Sequence, residues 1–288
     1  MILNIMILTA LASGAAAAPP EAAPVERARF AMGTVCRIAA SHDEPGAVPR
    51  LVESAFAEIA RWETILSDYD PASELSALNR EASRRAVACS ADLFAFLEAA
   101  AGLAAETGGA FDPTVGPLVD LYALRRGGRL PSPREIQDAL GSVGHRRLIL
   151  DRASRTARFA APGMRLDPGA MGKGFALDAA ARVLREGGVR WALLDFGGQI
   201  LAVGGGPGGC GFPVEVAAGG RASGRRIAIR LRDASAATSG NDERGAVVDG
   251  APVGHLLDPR TGLPAAGLAS VTAVHASGAR ADALSTAL

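Results

Sequence analysis

The stretch LDPGAMGKGFALD, residues 166–178, holds the only lysine of a 288-residue chain whose other basic residues are all arginine. Lys173 stands between Gly172 and Gly174, where a glycine-rich loop runs into an apolar, helix-periodic segment. At such a junction the first backbone N–H groups and the helix dipole favour an anion. A lysine in the first helical turn opposes that dipole and costs stability unless an anion offsets it. A phosphate-bearing partner is one reading; a solvated lysine after a loop is the other, and this stretch alone leaves both open. A P-loop does not fit, because the first glycine is too close and Gly174 replaces the Ser/Thr that would hold magnesium.

A second pair able to do chemistry closes the chain. In ARADALSTAL, Asp282 and Thr286 are four residues apart, so one helical face carries a carboxylate and a hydroxyl. Magnesium accepts such oxygens and completes its shell with waters or substrate phosphates. Ordinary helix polarity explains the same spacing. HLLDPRTGLP (255–264) brings His255 and Asp258 to a turn built from Pro259, Thr261, Gly262 and Pro264. GGAFDPTVG contains a similar Asp-Pro turn, preceded by Phe111, which reads as exposed. His42, His145 and His275 have no evident partners. The DFG triplet in LLDFGG lacks any kinase context, and GGGPGG at 204–209 has no helix behind it.

These residues need elements to position them. RARFAMGTVCRIAAS (27–41) reads as a strand, and 47–70 as an amphipathic helix with Leu51, Ala55, Ile59, Trp62 and Leu66 on one face. Ser73 caps a short helix, and 90–109 forms another that ends at a glycine pair. Prolines 113 and 117 make 109–128 irregular. A short helix follows in SPREIQDALGSVG, then two strands with a turn over 145–167. The lysine stretch opens a helix at 171–186 that turns Met171, Phe175, Ala179, Val183 and Leu184 to one side. WALLDFGGQILAVGG reads as a hairpin turning at Gly197 and Gly198, and strand-like runs lie at 225–231, 252–257 and 269–276. No clean βαβ repeat or longer period emerges. The expected architecture is α+β, with a site in a cleft between a mixed sheet and helices.

Composition narrows the partners. Formal net charge is zero, which speaks against a general nucleic-acid surface. Cys36, Cys89 and Cys210 show neither a disulfide framework nor zinc spacing. Residues 1–24 read as a signal peptide, or a retained anchor without a basic start, followed by a Pro/Ala linker; residues 25–288 form one domain. The expected location is exported, in the periplasm or at the outer face of the cytoplasmic membrane, with membrane association possible through the N-terminus.

Eight stretches in order resemble the ApbE-type FAD:protein FMN transferases. They are AMGTVCRI, LSDYDPASELSALNR, GGAFDPTVGPLVDLY, LDPGAMGKGFALD, LLDFGGQILAVGG, ATSGN, GHLLDPRTGLP and ARADALSTAL. The resemblance implies that Met32 and Tyr69 contact FAD, that Ala110, Phe111 and Asp112 match an AFD triplet, and that Asp167 and Lys173 contact the flavin nucleotide. It implies magnesium held by the Ala170 carbonyl and the Asp282 and Thr286 side chains, with Ser285 beside them. His255 and Leu257 fall on the segment flanking the diphosphate, and His255 and Asp258 are candidates for taking a proton.

The activity implied is magnesium-dependent transfer of FMN from FAD to a Thr or Ser hydroxyl of an acceptor redox-complex subunit bearing a Ser/Thr-Gly-Ala-Thr-like motif, releasing AMP. An FAD pyrophosphatase and a non-catalytic FAD-binding protein are the alternatives. Two departures from the family stand out. Asn241 replaces the acidic residue of an SGD motif, and the chain ends two residues after Thr286, so the domain is expected to be shortened at its C-terminus.

Overall fold

In the computed structural model, residues 23–123, 127–218, 224–240, 246–248 and 251–288 are described. Nearly all of the expected leader, and Asn241, lie outside them. Among the described residues no helix is long and apolar enough to cross a membrane.

The Gly197–Gly198 pair behaves as its composition demands. With φ of 62° and 95° it forms the two-residue turn that joins β6 (Trp191–Phe196) to β7 (Gln199–Val203). The run at 27–41 is a hairpin instead of one strand. β1 (Val25–Ala31) and β2 (Thr34–Ser41) pair in full register around Met32 and Gly33, at φ 44° and 77°. Positive φ at both central positions is the usual hairpin geometry, but a methionine in the first of them disguises the turn in sequence. The Met32 N–H is held by Glu63 Oε1 at 2.8 Å, which supports the unusual backbone.

The main sheet has the order β1-β2-β6-β7-β10-β13, where β10 is Ser235–Gly240 and β13 is Ser270–His275. Every pairing in it is antiparallel, so the sheet is not mixed. Period-2 alternation gives it two apolar faces. Cys36, Ile38, Leu194, Phe196 and Leu201 face the helical core. Ala39, Trp191, Leu193, Ile200 and Ala202 face a hairpin of β8 (Phe212–Ala218) and β9 (Arg225–Leu231), which contributes Phe212 and Leu231.

The helical layer begins with α1 (Val48–Leu66), whose buried Ala55, Ile59, Trp62 and Leu66 follow the predicted stripe. Ser73 caps α2 (Glu74–Glu81) by accepting the Ser76 N–H, and α3 (Ala91–Glu106) follows. The segment expected to be irregular contains α4 (Gly116–Tyr122). Pro117 sits in its first turn, where no intrahelical N–H is required, so it starts the helix instead of breaking one. A capping box between Ser132 and Glu135 opens α5 (Pro133–Leu140). A small sheet, β3 (Val87–Ala88), β5 (Thr156–Phe159) and β4 (Leu148–Asp151), lies beside α3. A short ribbon of β11 (Ala246–Val248) and β12 (Ala251–Val253) replaces most of the strand expected at 252–257.

Two helices carry the residues of interest. α6 (Gly172–Glu186) begins at the lysine loop, and α7 (Gly278–Ala287) ends the chain. They meet glycine to glycine: a Cβ on Gly174 would lie 2.3 Å from the Gly278 carbonyl oxygen. That obstacle is backbone and cannot rotate away. Gly174→Ala should therefore destabilise the protein by about 1–3 kcal/mol through overpacking. Gly102→Ala, at an exposed mid-α3 position with nothing within 4 Å, should stabilise it by about 0.5–1 kcal/mol. Urea unfolding of the two variants checks both signs; equal stabilities would refute the close-approach account.

Candidate functional site

The lysine loop is built before α6 begins. Asp167 Oδ1 accepts the Gly169 N–H at 2.7 Å, and the N–H groups of Met171 and Gly172 both turn back to the Pro168 carbonyl. Leu166 is clamped through both backbone groups by the Asn79 amide, at 3.0 and 2.8 Å. Asp167 N–H reaches the Pro113 carbonyl, which joins this loop to the AFDPT segment. A Cβ on Gly172 would stand 3.6 Å from Met32 Cε and from Leu66 Cδ1. The hairpin turn that carries Met32 thus lies against the lysine loop.

At the start of α6, the Gly174 N–H is one of the donors that a helix N-terminus leaves without an intrahelical partner. It donates to Asp282 Oδ2 on α7 at 3.1 Å, while Lys173 Nζ sits 3.5 Å from Asp282 Oδ1. Asp282 is 5% exposed, so a carboxylate, an ammonium and a backbone donor meet in a nearly dry place. Such a charge survives burial only with partners of this kind. One turn on, Ser285 and Thr286 hydroxyls hydrogen-bond the Asp282 carbonyl at 2.9 and 3.3 Å. Ser239 of β10 contacts both hydroxyls, at 2.8 and 3.2 Å. Lys173, Asp282, Ser285 and Thr286 are therefore one connected cluster.

This donor set fits a hard cation. Asp282 supplies a buried carboxylate, Thr286 a hydroxyl one turn further along the same helix, and Ala170 a backbone carbonyl in the loop just before α6. The oxygens come from loop, helix and helix, and the glycine contact fixes those elements against one another.

The remaining predicted residues divide. Tyr69 is 74% exposed on a loop shaped by Ser67, whose hydroxyl accepts the Tyr69 and Asp70 N–H groups. Phe111, read from sequence as exposed, is 3% exposed and lies in the helical core. Thr107 Oγ1 bridges the Phe111 N–H and carbonyl and holds the turn against α3, where the apolar ring gains burial. Ala110 is half-buried beside Phe111. Asp112 is 6% exposed, with Oδ1 on the Thr114 N–H and hydroxyl and Oδ2 on the His145 N–H and Nδ1. Its carboxylate braces the loop, and His145, which offers no partner in sequence, is that brace.

His255, Leu257 and Asp258 occupy the segment after β12. Leu257 bridges to Pro264, and the half-buried Leu257 packs with Tyr122, Ile136, Val248 and Val253. The Tyr122 hydroxyl donates to the Gly262 carbonyl at 3.0 Å, which pins the turn to α4. Asp258 forms a two-point ion pair with Arg260, 2.9 Å at each oxygen. Hydrogen bonding from Arg260 holds the Asp258 carboxyl below the usual aspartate range, against a smaller opposing effect of burial. A carboxylate so stabilised is a weak base, so His255 is the better of the two candidates for accepting a proton.

Sequence reasoning passed over Asp178, Gln199 and Ser239. Asp178 had a signal: it is a lone acid among buried alanines and leucines of α6. Its carboxylate takes Ser277 Oγ, Gly278 N–H and Ala279 N–H at 2.7, 2.6 and 3.0 Å. Gln199 Nε2 donates to the Gly278 carbonyl at 2.8 Å from the sheet below.

The arrangement defines a class: an α+β protein whose sheet and two closely packed helices bring together a glycine loop, a lone lysine and a buried carboxylate with two hydroxyls one turn on. Residues 32–288 match the model of the ApbE family. The FAD:protein FMN transferase of Treponema pallidum is 33% identical over 282 residues, covering 91% of this chain and 77% of that protein. Among solved structures, the ApbE protein of Thermotoga maritima is 32% identical with a TM-score of 0.82, over 92% of this chain and 85% of that one. The apo flavinyl transferase ApbE of Pseudomonas stutzeri has the same TM-score at 26% identity, over 92% and 83%. The chain belongs to the ApbE family.

The Asp258–Arg260 pair has a pH consequence. With its folded pKa depressed, Asp258 contributes stability that is present above the ordinary aspartate pKa and is lost as pH falls through the lower folded value. Carboxyl NMR should show Asp258 titrating below an ordinary aspartate and moving back up in Arg260→Ala. An unmoved midpoint would remove the guanidinium as the cause.

Proposed function

We propose that this chain is an FAD:protein FMN transferase that uses Mg²⁺ and releases AMP. The observation that carries the reading is the buried meeting of Lys173 and Asp282 at the mouth of the glycine loop. A diphosphate entering there gains the helix N-terminus and the ammonium, and supplies the anion that the placement of Lys173 calls for. Asp282, Thr286 and the Ala170 carbonyl would hold Mg²⁺, which supplies charge neutralisation for the diphosphate when bound. Tyr69 packs against a ring, and Met32 covers the loop.

In the reaction, a Thr or Ser oxygen of the acceptor attacks the phosphorus on the FMN side of the diphosphate. The new P–O bond leaves FMN on the acceptor as a phosphoester, and the broken P–O bond releases AMP. The hydroxyl proton passes to a base, the role assigned here to His255. Positioning and charge stabilisation dominate such a displacement. The acceptor assigned is a redox-complex subunit with a Ser/Thr-Gly-Ala-Thr-like motif outside the cytoplasmic membrane, which suits an exported enzyme.

The test is to incubate the protein with FAD and an acceptor domain carrying that motif, with Mg²⁺ or a chelator. Flavin fluorescence on the acceptor in a denaturing gel is read beside an AMP assay. Mg²⁺-dependent labelling is expected, and Asp282→Ala should lower it at least a hundredfold, about 3 kcal/mol or more of transition-state stabilisation, while FAD still binds. AMP without labelling would make the chain a pyrophosphatase or show the acceptor to be wrong. Bound, intact FAD with neither product would make it a flavin carrier.

A further inference from the structure

The two helices that meet at Gly174 and Gly278 carry the same spacing. Gly174 is followed four residues later by Asp178, and Gly278 four residues later by Asp282. Helical side chains lean toward their own N-terminus, so each carboxylate reaches back to the other helix's glycine. Asp282 accepts the Gly174 N–H at 3.1 Å, and Asp178 accepts the Gly278 N–H at 2.6 Å. The result is a reciprocal clasp. Its halves differ in what else the carboxylates touch: that of Asp282 faces Lys173, whereas that of Asp178 takes the Ser277 hydroxyl and the Ala279 N–H.

We propose that Asp178 is a positioning residue for the cation, acting through α7 without touching the metal. α7 already has a cap of its own, since Ser277 Oγ accepts the Arg280 N–H at 3.3 Å. The Asp178 carboxylate adds three hydrogen bonds from a different helix and ties the first turn of α7 to α6. Gln199 Nε2 fixes the Gly278 carbonyl from beneath. One turn later on the same helix comes Asp282, and one turn beyond that Thr286. Loosening the clasp lets α7 slide or rotate against α6, which separates the α7 oxygens from Lys173 and from the Ala170 carbonyl. The inference rests on the reading that Asp282 and Thr286 hold Mg²⁺.

The experiment is a Mn²⁺ titration, following the EPR signal of the free ion, with ADP present as an unreactive diphosphate. Wild type is compared with Asp178→Asn, which keeps one acceptor oxygen but turns an amide toward backbone donors. A folded Asp178→Asn protein is expected to bind Mn²⁺ about tenfold or more weakly, the usual cost of losing a support behind a metal ligand. Its labelling activity should recover at high Mg²⁺, which a general loss of fold would not allow. Wild-type Mn²⁺ affinity in the folded variant would overturn the proposal. If that variant does not fold, Ser277→Ala removes one of the three bonds; a weaker Mn²⁺ affinity is expected there, and an unchanged one would again overturn it. A wild-type protein that binds no Mn²⁺ would overturn the metal reading itself, and this inference with it.

Discussion

Backbone contact between α6 and α7 at Gly174 and Gly278 is the constraint on which the rest of the site depends. With no side chain at either position, two helix starts approach closely enough for carboxylates to cross between them. The crossing gives Asp282 a backbone donor in a place where a bare charge would otherwise be untenable. The β6–β7 hairpin completes the arrangement by putting Gln199 under Gly278, and β10 does so by putting Ser239 under Thr286.

An ammonium suits this place better than a guanidinium. Lys173 presents a compact charge at the end of a flexible stem, which can stay near Asp282 and still reach an incoming anion. A planar fork prefers a fixed two-point partner, as Arg260 finds on Asp258. In a chain that otherwise relies on arginine, the two pairs differ: arginine locks a turn, and lysine stands where the proposed diphosphate would be met.

Much of the helical layer was legible in sequence, because α1, α2 and α6 carry strong periodicity or caps whose physics is local. The Gly-Gly turn of β6–β7 was legible for the same reason. The β1–β2 turn was not, since Met32 adopts positive φ only with the help of Glu63, thirty-one residues away. α4 was hidden by a proline read as a breaker. In the site, Lys173 and the Asp282/Thr286 spacing pointed to an anion and a cation, but their meeting is tertiary. The burial of Phe111 was misjudged because a turn motif does not say which way its neighbours face. His145 and Asp178 act on partners thirty-three and about one hundred residues distant in the chain, beyond any local pattern.

The solitary lysine also makes this protein chemically addressable. Apart from the terminal amine, Lys173 Nζ is the sole primary amine on the polypeptide, and its side chain is one-fifth exposed. An amine-selective reagent therefore has a single side-chain target, located where the proposed diphosphate would bind. Acylation there would replace the charge with a neutral amide and leave all the arginines untouched. The extent of that modification, read by intact mass with and without nucleotide, would report occupancy of the loop directly, with no engineered label.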